Sequence, residues 1–322
     1  MLNLYVYEKD KALKRVKDVS KISDLIAEPT NIVWLDALNP DRKDIEFLAK
    51  EFGFHPLAID DYFTPHHRPK VNEFPGYYFI ATHFVSFSPD KAEITPQELD
   101  LFVGRNYIVT LHKDHMPVLE KVADIWQKDP KLFADGAGML LYDIMDGLVD
   151  SYFPVLDDIE DQLDKIEDEI FERGSQKSSE LIFKLKRSLL ELRRIATPLR
   201  EVLNTLIRRD QPLFSEQAIT YLRDVYDHTL RIADTIDTYR DILTGAMDAY
   251  LSVISNQLNT VMKTLTVVTT VLISSQVISG IYGMNFKHMP ELSWRYGYFI
   301  TIGLMITIAL SLLYYFKRIK WL

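Results

Sequence analysis

The stretch Thr264–Met284, TLTVVTTVLISSQVISGIYGM, holds no charged residue; Lys263 precedes it and Lys287 is the next charge after it. At 1.5 Å rise per residue, about 20 helical residues match a hydrocarbon layer of about 30 Å. A second uncharged run, Tyr298–Phe316, follows after a short connection, residues 285–297. Two such spans so close together predict a tight membrane hairpin at the carboxyl end. The competing reading is a pair of buried helices in a soluble core, but core helices usually carry a polar stripe. Trp294, Tyr296, Tyr298, Tyr314, Tyr315 and Trp321 stand where interfacial aromatic belts are expected.

The rest of the chain is hydrophilic. Over 322 residues the net charge is −9, which argues against nucleic acid as a partner and suits cations. There is no cysteine, so disulfides and thiolate metal sites are excluded. Residues Met1–Lys11 alternate polar and apolar and lack the apolar core of a signal peptide. The body is therefore expected in the cytosol and the hairpin in the cell's inner (plasma) membrane. Lys263 flanks the first span, and Lys317, Arg318 and Lys320 follow the second. With an even number of spans, both termini are expected on the cytoplasmic side.

Residues 1–135 read as a mixed α/β domain. Strands are expected at Leu4–Tyr7, Ile32–Leu35, Tyr77–Phe87, Leu99–Val103 and Tyr107–Leu111, with Gly104, Arg105 and Asn106 as a hairpin turn between the last two. Asn39-Pro40 reads as the start of a helix ending at Gly53, and His55-Pro56 as the start of another ending near Phe63. Residues 136–263 read as helix alone, a funnel or stalk. Ala137–Arg173 is one periodic pattern, densely acidic in its second half and stopped by Gly174. A basic helix follows from Ser178 to about Asp210. Pairing of the acidic and basic helices is the simpler account of both charge runs; attraction of divalent cations near a pore is the other. From Ser215 an apolar pattern continues without proline or cap into the first span, so one helix of about 100 Å is expected from Ser215 to Met284. Its apolar seam needs neighbours, which points to oligomerisation.

Steps of three and four back from Gly283 give Gly280, Gln276, Ile273, Thr269, Leu265, Met262 and Asn259. An amide in mid-membrane is costly unless it faces protein or water. A symmetric ring of such helices would enclose water, narrowed at Met262 and Leu265, where apolar constrictions can gate by dewetting. Helix–helix packing through small residues accounts for the same stripe equally well. No acidic or basic residue lies inside either span, which argues against a carrier that strips its ion. An ion crossing with its water attached fits better. Mg²⁺ dehydrates reluctantly, and the amide oxygens of an Asn285 ring could hold its water shell.

The residues Gly280-Ile281-Tyr282-Gly283-Met284-Asn285-Phe286 resemble the CorA family of magnesium channels, whose signature is Gly-Met-Asn at the end of the first transmembrane helix. Met289-Pro290-Glu291-Leu292, the second span and the basic end also fit. Upstream, Phe52-Gly53-Phe54-His55-Pro56-Leu57, Asp61 and His67-Arg68-Pro69-Lys70 are similar to the family's soluble domain, as is Tyr221–His228 on the long helix.

The resemblance implies a funnel-shaped homopentamer of fold class α+β/membrane: cytosolic α/β domain 1–135, stalk 136–263, pore-lining span 264–284, external loop 285–297, span 298–316 and basic tail 317–322. Gly283, Met284 and Asn285 would form the selectivity filter for hydrated Mg²⁺. Met262 and Leu265 would form the hydrophobic gate, with Asn259 just inside it. Asp61 and Asp224 would bind regulatory Mg²⁺ between subunits and hold the pore closed; on residue type alone they read as ordinary surface acids. Lys317, Arg318 and Lys320 would form a basic collar. Many members have proline and threonine where this chain has Ser274 and Gln276. Losing the proline should straighten the helix, and an amide ring changes pore polarity, which bears on Mg²⁺ against Co²⁺ or Ni²⁺. Two other readings are a Zn²⁺ or other transition-metal transporter of the same fold and a non-conducting, membrane-tethered helical sensor. Of eight histidines only His288 lies in the membrane portion, which disfavours the transition-metal reading. No phosphate-cradling glycine loop, HExxH site or nucleophile motif points to an enzyme.

Overall fold

A computed structural model describes residues 1–8, 14–16, 19, 22–64, 68–128, 136–172, 176–208, 213–285 and 289–321. Lys11, His67, Arg173, Gly174, Asp210, Phe286, Lys287 and His288, named above, lie outside the described residues. The chain forms two compact units: Met1–Glu169 with Ser175–Ala246, and Ile170–Gly174 with Met247–Leu322.

The first unit is built on a mixed sheet of seven strands. They are β1 (Leu2–Tyr7), β2 (Lys14–Val16), β3 (Ile32–Leu38), β4 (Lys70–Phe74), β5 (Tyr77–Ser88), β6 (Glu93–Gly104) and β7 (Tyr107–His112), in the order β2-β1-β3-β7-β6-β5-β4. Only β3–β7 pair in parallel among them. One face carries Val33, Leu35, Ala81, Phe102 and Val109, covered by α1 (Ile22–Ala27), α2 (Arg42–Phe52) and α3 (Pro56–Phe63). Phe54 stacks on Phe102 at 4.0 Å and anchors that layer. The other face meets α5 (Ala137–Asp150) and α7 (Gln176–Ile207), and α4 (Pro117–Lys128) packs on α5.

Local chemistry sets the element ends. α2 opens two residues later than Asn39-Pro40 suggests. Asn39 sits in the left-handed region at φ 47°, and Asp41 forms a reciprocal capping box with Asp44. Gly53 ends the helix at φ 70°, a conformation that costs glycine little. The Nδ1 of His55 accepts the Leu57 N–H at 3.2 Å, and Pro56 fills the first turn of α3, as expected. β6 runs well beyond Leu99–Val103. Its outer half pairs only with β5, so Pro96 loses no ladder bond on its open side.

The expected single helix from Ala137 is two: α5, then α6 (Tyr152–Glu172). Pro154 accounts for the break, because its ring excludes the Asp150 carbonyl four residues back. α8 (Glu216–Tyr282) is one unbroken helix of 67 residues, close to the expected bounds. Ser215 caps it through a 3.2 Å bond from the Ala218 N–H. A short turn of 3₁₀ helix, Pro290–Ser293, leads into α9 (Gly297–Arg318). The carboxyl part of α8 and the whole of α9 are long and apolar enough to cross a membrane.

Candidate ion path and cation sites

In the second unit α8 ends at Tyr282, and the chain turns at once. The Gly283 N–H donates to Ser279 O at 3.0 Å, and the Met284 N–H to Ile281 O at 3.2 Å. A Cβ on Gly283 would lie 3.3 Å from the Ser279 carbonyl oxygen, so glycine suits this tight exit. Gly283, Met284 and Asn285 are all exposed, and Asn285 has no hydrogen-bond partner among the described residues.

At 100° per residue, Met262, Leu265, Thr269, Ile273, Gln276, Gly280 and Gly283 fall within about 40° of one line on α8, with Asn259 about 80° off it. Each is exposed in the single chain. The less exposed residues here, Thr266, Val267, Thr270, Val271, Ser274, Ser275, Ile278 and Tyr282, centre on the opposite side of the helix, with Thr266 at the edge of that face. On α9 the less exposed positions are Gly297, Thr301, Met305, Ile308, Ala309, Leu312 and Phe316, again a single stripe. This is the pattern of an antiparallel hairpin that leaves the Gln276 stripe bare.

Five of the seven serine and threonine hydroxyls in the span hydrogen-bond locally. Thr266 donates to Met262 O at 2.8 Å, Thr269 to Leu265 O at 2.8 Å and Ser274 to Val271 O at 2.8 Å. Gln276 differs: its amide finds no partner among the described residues. Lys317, Arg318 and Lys320 close the second span and are exposed, and Trp321 stacks on Phe316 at 5.7 Å.

The two acids expected at a regulatory site stand in separate surroundings in the first unit. Asp61, near the end of α3, holds Lys70 Nζ at 2.8 Å on Oδ1 and accepts Asn72 Nδ2 at 2.8 Å on Oδ2. Asp224, on α8, has a side chain 63% exposed, with its Oδ2 3.7 Å from His228 Nε2. Beside it is a cluster that the sequence reading missed. Asp146 and Asp150 on α5 put their Oδ1 atoms 4.0 and 3.6 Å from His228 Nδ1, and the three ligand atoms lie within 4.8 Å of one another. Burial pushes the Asp146 carboxyl up, Asp150 adds to this, and His228 opposes it. Burial, then Asp146, pushes the neighbouring Tyr142 up to about 12. Octahedral Mg²⁺ keeps opposite oxygens about 4.2 Å apart, so a divalent cation with water fits this set. The imidazole nitrogen would favour Co²⁺ or Ni²⁺ more than Mg²⁺. The available signal was the spacing 143, 146, 150 on the polar side of α5, which the apolar period of the same helix concealed.

The family model for the CorA-like Mg²⁺ transporter protein matches residues 30–318. The chain belongs to the CorA family. It is 38% identical over 298 residues to the cobalt/magnesium transport protein CorA of Thermotoga maritima, spanning 90% of this chain and 83% of that one. It is 36% identical to the putative metal ion transporter YfjQ of Bacillus subtilis over 89% of each. The complete CorA magnesium transporter structure from Methanocaldococcus jannaschii superposes with a TM-score of 0.86 at 26% identity, covering 99% of this chain and 98% of the other. The CorA fold, with its α/β domain, long helix α8 and carboxyl-terminal apolar helix, is thus this chain's fold. The family is one of ion transporters, and Gly283, Met284 and Asn285 stand at the exit of α8.

Proposed function

We propose that this chain is a passive Mg²⁺ channel that also admits Co²⁺, assembled as a homopentamer in the plasma membrane with both termini cytoplasmic. The observation that carries the reading is the uncharged stripe of α8 opposite the covered face, with Gln276 on it and Asn285 just past its end, neither amide having a partner among the described residues. A carboxamide left in hydrocarbon without a partner costs on the order of 2 kcal/mol or more. A symmetric ring of α8 helices removes that cost by supplying water and other copies of the same amides.

In this arrangement Gly283 brings the backbone close to the axis, and Asn285 offers neutral oxygens to a hydrated cation while Met284 helps to shape the entrance. Neutral ligands bind the water shell weakly enough for the ion to leave, as conduction requires. Met262 and Leu265 close the path by dewetting, with Asn259 on the cytosolic side. Lys317, Arg318 and Lys320 form the basic collar. The domain scheme follows: α/β domain 1–135, stalk 136–263, spans 264–284 and 298–316 joined by an external loop 285–297, and tail 317–322.

Regulatory Mg²⁺ is assigned to Asp61 of one copy and Asp224 of the next, with Asp146, Asp150 and His228 beside Asp224. Bound cation joins the copies and holds the path closed; as cytosolic Mg²⁺ falls, like-charged carboxylates repel and loosen the ring.

The test is Mg²⁺ flux into liposomes holding the purified full-length protein. Asn285→Ala is expected to abolish flux while the oligomer keeps its size. Retained flux would remove Asn285 from the filter. Flux of Zn²⁺ without Mg²⁺ would favour a transition-metal transporter, and no flux of any cation would favour a non-conducting sensor.

A further inference from the structure

Both carboxylate oxygens of Asp61 are already engaged within one chain, by Lys70 at 2.8 Å and Asn72 at 2.8 Å. Both donors come from β4, an edge strand of the sheet. A cation arriving at Asp61 therefore meets a carboxylate that has been neutralised in advance.

A second acid lies along the same line. Lys70 pairs in register with Ala81 of β5, and Ala81 pairs with Asp100 of β6. Residues in register share a face, so Lys70 and Asp100 look the same way across two strand spacings, about 10 Å. Asp100 is 2% exposed, and its Oδ1 has no hydrogen-bond partner among the described residues. A buried carboxyl with an orphan oxygen needs a proton or a cation. Burial, then Glu98, pushes the Asp100 carboxyl well above the usual range, while Lys70 pulls it down. The Lys70 ammonium lies 5.6 Å from the centre of the Phe79 ring, on the residue beside that row.

Resting on the reading of Asp61 as half of a regulatory cation site, we propose that Lys70 is a tethered competitor for that site: its ammonium holds Asp61 until a divalent cation takes the carboxylate, and then turns to Asp100. Asn72 stays on Oδ2 and keeps the carboxylate aimed while Oδ1 changes partner. The lysine sets a threshold, because cytosolic Mg²⁺ must be concentrated enough to displace an ammonium that never leaves. Lys70 also gives a task to the last residue of the His67-Arg68-Pro69-Lys70 block, which the ion path does not use.

The experiment reads inhibition of flux by Mg²⁺ on the cytosolic side of full-length protein in liposomes. Lys70→Met should lower the half-inhibiting concentration about fivefold, the size of a partly exposed ion pair. Lys70→Arg, which keeps a cation and adds a second donor, should raise it. Asp100→Asn, which removes the alternative partner, should raise it as well. An unchanged or higher value for Lys70→Met, or a lower value for Asp100→Asn, overturns the proposal. Asp61→Ala separates the two levels. If it relieves inhibition while Lys70→Met changes nothing, only the competitor role fails; if it leaves inhibition intact, the regulatory site fails and this role with it.

Discussion

His112 and Asp36, 76 residues apart in sequence, meet at 2.9 Å between imidazole Nε2 and Oδ1 at the end of the parallel pair β3–β7. Thr110 donates to the same oxygen at 2.8 Å, and the indole N–H of Trp34 donates to Thr110 at 3.1 Å. The His112 Nδ1 lies 2.6 Å from Asp114 O, so both ring nitrogens have acceptors in reach. Burial alone would lower the His112 pKa, but Asp36 and the Asp114 carbonyl outweigh it and the net shift is upward. A folded value above the unfolded one means stability that is full below about pH 6.5 and is lost as pH rises through the folded value. Asp36→Asn should flatten this dependence and cost about 1–3 kcal/mol below pH 6.5. Thermal unfolding of purified protein between pH 5.5 and 8.5 checks it; parallel curves for both proteins would refute the pairing.

Glycine substitutions should separate steric from conformational effects. A Cβ at Gly104 would fall 2.2 Å from the Tyr107 ring, which is itself packed on Phe52. Gly104→Ala should cost more than about 2 kcal/mol, because the ring cannot withdraw. Gly245, inside α8, has nothing within 4 Å of such a Cβ. Gly245→Ala should therefore stabilise the helix by about 0.5–1 kcal/mol. Denaturant midpoints for both variants test the pair. A destabilised Gly245→Ala would reveal another copy packed against that position.

Since the chain has no native cysteine, single cysteines can map α8 directly. Cysteine at Thr269, Ile273, Gln276 or Gly280 should react with a water-soluble thiol reagent and lose flux. Cysteine at Val271, Ser274 or Ile278 should stay protected. A reversed pattern would move the water path to the other side of the helix.

His228 is expected to divide the metals. His228→Ala should weaken inhibition by Co²⁺ or Ni²⁺ about tenfold and inhibition by Mg²⁺ much less, because imidazole nitrogen favours the later transition metals. Equal loss for all three ions would mean that His228 orients the carboxylates and does not ligate the ion.

The spans were legible because charge disappears over some twenty residues, a signal that needs no tertiary context. α8 was legible because no proline interrupts its apolar pattern. β4 was not: Lys70–Phe74 has two well-spaced apolar residues and forms only because β5 offers it an edge. The pattern reading also leaves Pro117–Lys128 unassigned, although Val118, Leu119, Val122, Ala123 and Trp126 make one buried face. At the candidate cation sites, Asp61 and Asp224 were named from family resemblance alone. Their working surroundings, Lys70 and Asn72 for one and His228, Asp146 and Asp150 for the other, arise from strand register and helix packing. No local pattern encodes those meetings. The break at Ser151 did leave a local mark, Pro154, which the strong apolar period overrode.

A helix of 67 residues without a break cannot change length without tearing its own hydrogen bonds. What passes along α8 is thus bend and torsion, not stroke. Gly245, its one residue without a side chain between Glu216 and Ser279, stands next to Ala246, where the first compact unit ends. It is the softest point for torsion on the shaft. A rotation of the carboxyl part about the helix axis by about 40° would put Leu272 where Gln276 faces, and one of about 100° would put Val277 there. In the proposed ring the path would then change its wettability by turning in place, with no subunit having to withdraw.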